Sequence, residues 1–186
     1  DASPSAGVRG GDNGGVPLLV ARQVRHTLAA ALGDRGRTST RSARMVDVSG
    51  TVVVAVLTRS PSSGGKTRLF QALGRSPDPD LLRALFLDTL DAAELPGAAR
   101  VVCHTPPGAS EEMRAQVPDD VALLPQRTGD LGQRMQSVFD DLFALGAASV
   151  ILIGSDLPAL PRSALTAARD APLANTAAIV LGAASA

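Results

Sequence analysis

The segment TVVVAVLTRSPSSGGKTRL, Thr51 to Leu69, decides the fold. Its first part, Thr51 to Leu57, is a short and mostly β-branched run, as expected of a parallel strand buried on both faces. A loop rich in Ser, Gly and Pro follows. The stretch from Thr67 to Leu73 then predicts a helix that stops at Gly74. Strand, loop and helix in this order predict the first unit of an α/β protein.

Similar units recur along the chain, although their lengths differ. The further predicted strands are Arg100 to His104, Val121 to Leu124, Ser149 to Ile153 and Ala177 to Leu181. Predicted helices begin at Asp78-Pro79, at Ser110, at Leu131 (ending near Leu145) and at Pro161 (ending near Asp170). One apolar face of the helix that begins at Leu131 is formed by Leu131, Met135, Val138, Phe139, Leu142 and Phe143. The alternation predicts a three-layer, Rossmann-like α/β fold with a mostly parallel sheet.

The residues before this pattern differ in character. Asp1 to Gly15 is rich in Gly, Ser and Asp, which predicts a disordered segment or linker. Leu18 to Leu32 predicts one helix, and Asp34 to Arg44 is polar and rich in Arg. We therefore expect an extension over residues 1–44 and one α/β domain over residues 45–186.

Composition excludes several functional classes. The formal net charge is zero, so no overall field favours nucleic acid or an anionic membrane. The chain has no Trp and no Tyr, and therefore lacks the aromatic platforms that single-strand nucleic-acid binders use. One cysteine rules out an internal disulfide, and no apolar run approaches the length of a membrane span. These features predict a cytoplasmic protein with no nucleic-acid partner and no membrane span.

Three loops leave the predicted carboxyl ends of strands, where open parallel sheets bind ligands. In the first loop, Gly64 and Gly65 permit a close approach of the backbone to a phosphate. Lys66, the single lysine of the chain, and Arg68 supply positive charge. The alternative is a flexible, solvated turn. A P-loop is disfavoured because Ser60 occupies the position of its first glycine.

The second loop, Pro125 to Met135, contains Asp130 between two glycines. In the functional interpretation Gly129 lets the backbone pass close to a nucleotide, and Gln126 or Arg134 reaches the ligand. In the structural alternative, Asp130 is a plain cap of the following helix. Both interpretations stay open at this point.

The third loop, Gly154 to Leu160, carries Asp156 just after a buried strand. A carboxylate at that position suits Mg²⁺ or Mn²⁺, which proteins bind through one or two carboxylates plus substrate phosphates. The alternative role for Asp156 is a cap of the turn that follows. Cys103 and His104 are adjacent, but they lack the further ligands of a zinc site, and we interpret both as structural.

Four segments carry a resemblance to a known family. They are VVVAVLTRSPSSGGKTRL, FLDTL, LLPQRTGDLGQRM and VILIGSDLPAL, which together span Val52 to Leu160. In this order they resemble the bacterial family of uncharacterised glycosyltransferase-A-like proteins. That family is related to phospholactate guanylyltransferase and, more distantly, to the molybdenum-cofactor guanylyltransferase.

The resemblance implies roles for individual residues. Lys66 and Arg68 would hold nucleotide phosphates, the GDLG loop around Asp130 would lie near the nucleotide, and Asp156 would bind the divalent metal. Arg59 departs from the lysine that the family commonly has there. The family also continues, after a strand like AIVLG, into an aspartate-glycine-glycine segment with a second acidic residue. The sequence ends before such a segment, which predicts a domain truncated at its C-terminus.

The sequence thus predicts a metal-dependent transferase acting on a nucleotide sugar or a nucleoside triphosphate, with an unidentified acceptor. Lys66 and Asp156 would be its catalytic residues, acting by neutralising charge on the phosphates. Glycosyl and nucleotidyl transfer stay open as alternatives. A rival hypothesis is a non-catalytic nucleotide-binding domain of the same fold, which the missing second acidic residue favours.

Overall fold

The computed structural model of the protein describes residues 18–22, 48–171 and 179–182; in the first and last of these ranges it describes only the backbone. The strands in those ranges are β1 (Leu18–Arg22), β2 (Val52–Arg59), β3 (Ala98–Thr105), β4 (Ala122–Pro125), β5 (Ser149–Gly154) and β6 (Ile179–Gly182). The helices are α1 (Thr67–Ala72), α2 (Pro79–Ala92), α3 (Ser110–Arg114), α4 (Leu131–Ala144) and α5 (Arg162–Asp170). Single 3₁₀ turns cover Pro61–Ser63 and Pro107–Ala109.

The strands form one sheet in the order β4-β3-β2-β5-β1-β6. β2 is parallel to both β3 and β5, and β3 is parallel to β4. In this register Val56 lies between Val102 and Ile153. β1 is antiparallel to both of its neighbours, so β6 points in the same direction as β5. The predicted α/β fold with a mostly parallel sheet is confirmed.

Two apolar cores cover the two faces of this sheet. Alternate residues of the central strands enter opposite cores, because successive side chains of a strand point to opposite faces. One core contains Val54, Val56, Ile151 and Ile153 with Phe86 and Leu90 of α2, Met113 of α3 and Leu165 of α5. The other contains Val53, Ala55, Val150, Leu152 and Cys103 with Val138, Phe139 and Leu142 of α4. Helices on both faces make the three layers that the sequence predicts.

The helix ends follow local chemistry. Asp78 caps α2 by accepting hydrogen bonds from the N–H groups of Asp80 at 3.0 Å and Leu81 at 3.3 Å, and Pro79 is the first helical residue. Gly74, which follows α1, has φ 60°, a conformation that glycine adopts without steric cost. The cap and the stop predicted at these positions are confirmed.

The predicted apolar face of α4 needs one correction. Val138, Phe139 and Leu142 are buried, but the side chain of Leu131 is exposed. Leu131 is the first residue of the helix, and the helix reaches the core only from Met135, one turn later.

The helix predicted for Leu18 to Leu32 is wrong at its start, because residues 18–22 form β1. In β1, Val20 pairs with Ile151 on one side and Val180 on the other. A run of five mostly apolar residues is too short for its periodicity to separate helix from strand. Residues 1–17, 23–47, 172–178 and 183–186 lie outside the described residues, so the linker predicted over residues 1–15 and the rest of this helix stay predictions. The domain start expected at residue 45 leaves β1 outside the domain, whereas the structure includes β1 in the sheet. No helix in the described part of the chain is long and apolar enough to cross a membrane.

Candidate active site

Three loops meet the same edge of the sheet. β2, β4 and β5 run in one direction, so the loops that follow Arg59, Pro125 and Gly154 all leave the carboxyl ends of parallel strands. This edge is where open α/β sheets bind ligands. The sequence placed its candidate residues on these loops, and the structure puts the loops on that edge.

Lys66 and Asp156 form an ion pair at this edge. Lys66 Nζ lies 2.9 Å from Asp156 Oδ2, although the two residues are far apart in the sequence. The side chains are 23% and 40% exposed, so both remain accessible to a ligand. The pair therefore brings a cation and an anion together where phosphates and a divalent metal would require charges of those signs.

The backbone around Lys66 takes an uncommon path. Gly64, Gly65 and Lys66 have φ values of 68°, 142° and 48° in succession. Two of these conformations fall on glycines, but Lys66 is a non-glycine residue in the left-handed region, where side chains are disfavoured by about 1–2 kcal/mol. Such strain is found preferentially at functional sites. Arg68 lies exposed in the first turn of α1, just after this bend.

The loop that carries Asp156 is held by a residue that sequence reasoning missed. Thr89 of α2 is fully buried, and its Oγ1 accepts a hydrogen bond of 3.0 Å from the N–H of Leu157. The same hydroxyl donates to the carbonyl of Leu85 at 2.8 Å, so its geometry is set from both sides. Thr89 belongs to the segment FLDTL, which was noted for its resemblance and not for a role.

Gln126 is buried and bonded within the protein. Its Nε2 donates to the carbonyl of Thr58 at 2.9 Å and to that of Cys103 at 2.6 Å, while its Oε1 accepts from Arg134 Nη1 at 3.3 Å. The side chain thereby ties β2 and β3 to the loop after β4. A direct contact between Gln126 and a nucleotide stays a prediction, and it would require giving up one of these bonds. Arg134 is half-buried beside it.

Asp130 and Gln133 form a reciprocal capping box at the start of α4. The N–H of Gln133 donates to Asp130 Oδ1 at 2.9 Å, and the N–H of Asp130 donates to Gln133 Oε1 at 3.0 Å. Gly129 has φ 139°, and a Cβ atom there would lie 2.6 Å from Gln133 Oε1. The capping interpretation of Asp130 is confirmed, and the glycine is required by the cap itself. A role of Gly129 and Asp130 in nucleotide binding stays a prediction.

The loop before Lys66 is bonded to a carboxylate that the sequence did not single out. Glu112 of α3 accepts hydrogen bonds from the hydroxyls of Ser60 and Ser62, each 2.5 Å from Oε2. Burial alone would raise the pKa of Glu112, but hydrogen bonds from Ser60, Ser62 and Gln116 outweigh it and hold the pKa below the usual 4.5. Glu112 is therefore ionised at neutral pH.

His104, at the same edge, links two turns. It is fully buried; its Nδ1 lies 3.2 Å from the carbonyl of Pro106 and its Nε2 lies 3.1 Å from Ser110 Oγ. A carbonyl accepts only, so Nδ1 is the ring nitrogen that donates to Pro106. The Ser110 hydroxyl also lies 3.2 Å from a second acceptor, the carbonyl of Pro107. Burial lowers the pKa of His104, against the opposing effect of the Pro106 bond. A neutral imidazole in this position agrees with the structural role expected of His104.

Comparison with known proteins decides the family. The family model described as "Uncharacterized protein conserved in bacteria (DUF2064)" matches residues 89–186. The chain belongs to this family. The matched residues of this DUF2064 protein include Thr89, Glu112, Gln126 and Asp156, whereas Lys66 precedes them. None of the curated proteins compared with the chain matches it.

The DUF2064 chain also resembles a solved structure. This is the crystal structure described as a "putative nucleotide-diphospho-sugar transferase" from Desulfovibrio desulfuricans G20. The two chains are 28% identical, with a TM-score of 0.53. The match covers 62% of this chain and 51% of that one, so the chain spans about half the length of its structural relative. The α/β fold is therefore of the nucleotide-diphospho-sugar transferase type.

The residues at the edge limit how a metal would be held. Within the described residues, no group of three or more His, Cys, Asp or Glu side chains is placed to bind a metal ion. A zinc site, which needs at least three protein ligands, does not fit these residues. Asp156 alone fits Mg²⁺ or Mn²⁺ in the arrangement in which substrate phosphates supply further ligands.

Proposed function

We propose that this DUF2064 protein is a divalent-metal-dependent transferase that acts on a nucleotide sugar or a nucleoside triphosphate. The observation that carries the proposal is the meeting of Lys66 and Asp156 at the carboxyl edge of the sheet, 2.9 Å apart. The fold likeness to a protein described as a nucleotide-diphospho-sugar transferase supports the same class of substrate. The proposed site also includes Arg68, close in sequence to Lys66.

In the proposed reaction, Lys66 and Arg68 bind the phosphates and neutralise the charge that develops as the leaving group departs. Mg²⁺ or Mn²⁺, held by Asp156 and the phosphates, would add Lewis-acid stabilisation. An acceptor oxygen then attacks directly and loses its proton to water. Attack on the anomeric carbon releases a nucleoside diphosphate, and attack on the α-phosphorus of a triphosphate releases pyrophosphate. The released product distinguishes glycosyl from nucleotidyl transfer.

Two sources of support favour different reactions. The D. desulfuricans structure, by its description, favours a nucleotide sugar and glycosyl transfer. The family that the motifs resemble is related to guanylyltransferases, which favours a nucleoside triphosphate and nucleotidyl transfer. In either reaction, we expect the protein to work in the cytoplasm, where nucleotide substrates are made.

The rival proposal is a nucleotide-binding domain without catalysis. It is favoured because Asp156 belongs to no cluster of three or more potential metal ligands within the described part of the chain. A P-loop NTPase has less support. The loop forms a 3₁₀ turn over Pro61–Ser63, and the N–H and hydroxyl of Ser60 are already bonded to Thr105 and Glu112.

The test is calorimetric titration with nucleotide sugars and nucleoside triphosphates, with and without Mn²⁺. We expect metal-dependent binding that Asp156→Asn abolishes. Lys66→Ala should weaken the affinity at least tenfold, which corresponds to about 1.4 kcal/mol of binding free energy. Asp119→Asn is the matched control, because Asp119 is exposed and precedes β4 at the opposite edge. Ligand at about 100 times its dissociation constant should also raise the free energy of unfolding by roughly 2.7 kcal/mol.

Three results separate the alternatives. Metal-dependent binding without release of nucleoside diphosphate or pyrophosphate, across a panel of acceptors, favours the non-catalytic domain. Binding by Asp156→Asn that keeps its metal dependence refutes the metal-ligand role. Absence of nucleotide binding by the unaltered protein refutes the proposal as a whole.

A further inference from the structure

One carboxylate connects the loop before Lys66 to a different part of the fold. Glu112 accepts three hydrogen bonds from this loop: the hydroxyls of Ser60 and Ser62 reach Oε2 at 2.5 Å, and the N–H of Ser62 reaches Oε1 at 3.3 Å. The loop and Glu112 are 50 residues apart in sequence. Hydroxyl-to-carboxylate bonds of this length are about twice as strong as bonds between neutral groups.

These bonds come just before the bend that delivers Lys66. Ser60 is buried, and its N–H donates to the carbonyl of Thr105 at 2.8 Å. After Ser62, the described backbone bonds are local, such as Gly64 N–H to Pro61 O at 3.1 Å. Gly64 and Gly65, with φ values of 68° and 142°, then form the bend that leads to the ion-paired lysine. Ser62 is therefore the last residue before Lys66 for which a described hydrogen bond reaches another element.

We infer that Glu112 is a positioning residue, which fixes the start of the two-glycine bend and thereby holds Lys66 against Asp156. The inference rests on the proposed role of Lys66 in binding phosphate. Glu112 itself touches no part of the candidate site that we assign to the substrate. It acts through Ser60 and Ser62.

The chemistry requires a carboxylate at residue 112 and not merely a polar group of the same shape. Both hydroxyls donate to one oxygen, while the Ser62 N–H donates to the other. In Glu112→Gln one oxygen becomes an NH₂ group, which accepts no hydrogen bond from either serine. The substitution therefore removes at least one loop contact and the negative charge, with almost no change in volume.

Lys66 offers a direct probe of its own position, because it is the single lysine of the chain. Protein made with ¹³C-labelled lysine gives one Cε resonance, which reports the surroundings of Lys66 without any activity measurement. Asp156→Asn supplies the reference shift for a lysine whose ion pair is absent. The test variants are Glu112→Gln and Ser62→Ala. Glu111→Gln is the matched control, because Glu111 is the exposed neighbour on the same helix.

We expect Glu112→Gln and Ser62→Ala to move the Lys66 resonance toward the Asp156→Asn reference, while Glu111→Gln leaves it in place. In Glu112→Gln the metal-dependent affinity for the nucleotide that the calorimetric titration finds should fall about tenfold, because hydrogen bonds to a charged group contribute more than bonds between neutral groups. Restoring the carboxylate one methylene shorter, in Glu112→Asp, should recover part of the shift.

A lower melting temperature with an unmoved Lys66 resonance would overturn the inference, because Glu112 would then support stability alone. If Glu112→Gln does not fold, Ser62→Ala decides. Ser62 is exposed, so this variant is expected to fold, and an unmoved resonance in it overturns the inference equally. Failure of the proposed function gives a different result. The unaltered protein would then bind no nucleotide, while the resonance still moves in Glu112→Gln.

Discussion

Replacing Gln126 with Met tests whether this side chain braces the site or binds the nucleotide. Met has nearly the same length and volume but no hydrogen-bond donor. In the structure Gln126 is 3% exposed, and its Nε2 donates to the carbonyls of Thr58 and Cys103. Those two carbonyls belong to β2 and β3, so the substitution removes a link across two strand ends at the candidate site.

The magnitude follows from these contacts. Two hydrogen bonds contribute about 1 kcal/mol each, and a buried carbonyl left without a partner costs about 1–3 kcal/mol. Part of that cost is offset because a methionine side chain gains from apolar burial. We expect Gln126→Met to lower the free energy of unfolding by about 3 kcal/mol. In a domain of this size that corresponds to a fall in melting temperature of about 6–12 °C.

The assay is urea unfolding followed by circular dichroism, with Gln136→Met as the control. Gln136 is exposed on α4, where it bonds Asp140 one turn away, so its replacement should change stability by less than about 0.5 kcal/mol. If Gln126→Met lowers the free energy of unfolding by less than about 1 kcal/mol and abolishes nucleotide binding, the structural role of Gln126 is refuted and a direct contact with the nucleotide is supported.

Two further outcomes test neighbouring contacts. Thr89→Val keeps the side-chain shape but leaves the N–H of Leu157 without its acceptor. We expect the free energy of unfolding in urea to fall by about 1–3 kcal/mol, and metal-dependent binding at Asp156 to weaken. Unchanged binding would show that another contact holds this loop. Because burial lowers the pKa of His104 below its usual 6.5, the unfolded state takes up the proton first, so stability should fall as the pH drops below about 6.5. His104→Gln should flatten this dependence between about pH 7 and 5.5, and equal slopes in the two proteins would contradict the buried, neutral imidazole.

Local patterns were sufficient for most of the described fold. β2 and β5 each contain an uninterrupted apolar run, α2 begins at an Asp-Pro pair, and α1 stops at Gly74, so each signal lies within a few residues of the feature it predicts. β1 had no comparable signal. It is a strand because β5 and β6 lie on either side of it, and a five-residue window contains no information about either neighbour.

In the candidate site, too, local patterns predicted some features, whereas contacts between distant residues were not predicted. The positions of Lys66 and Asp156 on their loops followed from strands and glycines nearby in the sequence. The contacts of Glu112 with Ser62, of Gln126 with Thr58 and of Thr89 with Leu157 join residues that are 50 to 68 positions apart, and no spacing rule connects them. The capping box of Asp130 had a detectable signal, a glutamine three residues after the cap.

Because Cys103 is buried, its reaction with a thiol reagent can report local unfolding of the core around it. Cys103 is the single cysteine of the chain, it lies in the middle of the core below α4, and burial raises the pKa of its thiol far above the usual range. A thiol reagent reacts with the thiolate, so the native state is protected both by exclusion and by protonation. We therefore expect labelling of Cys103 to proceed through molecules in which the core between β3 and α4 has opened. Its rate measures the free energy of that opening under native conditions, and a nucleotide that binds at the strand ends should slow it.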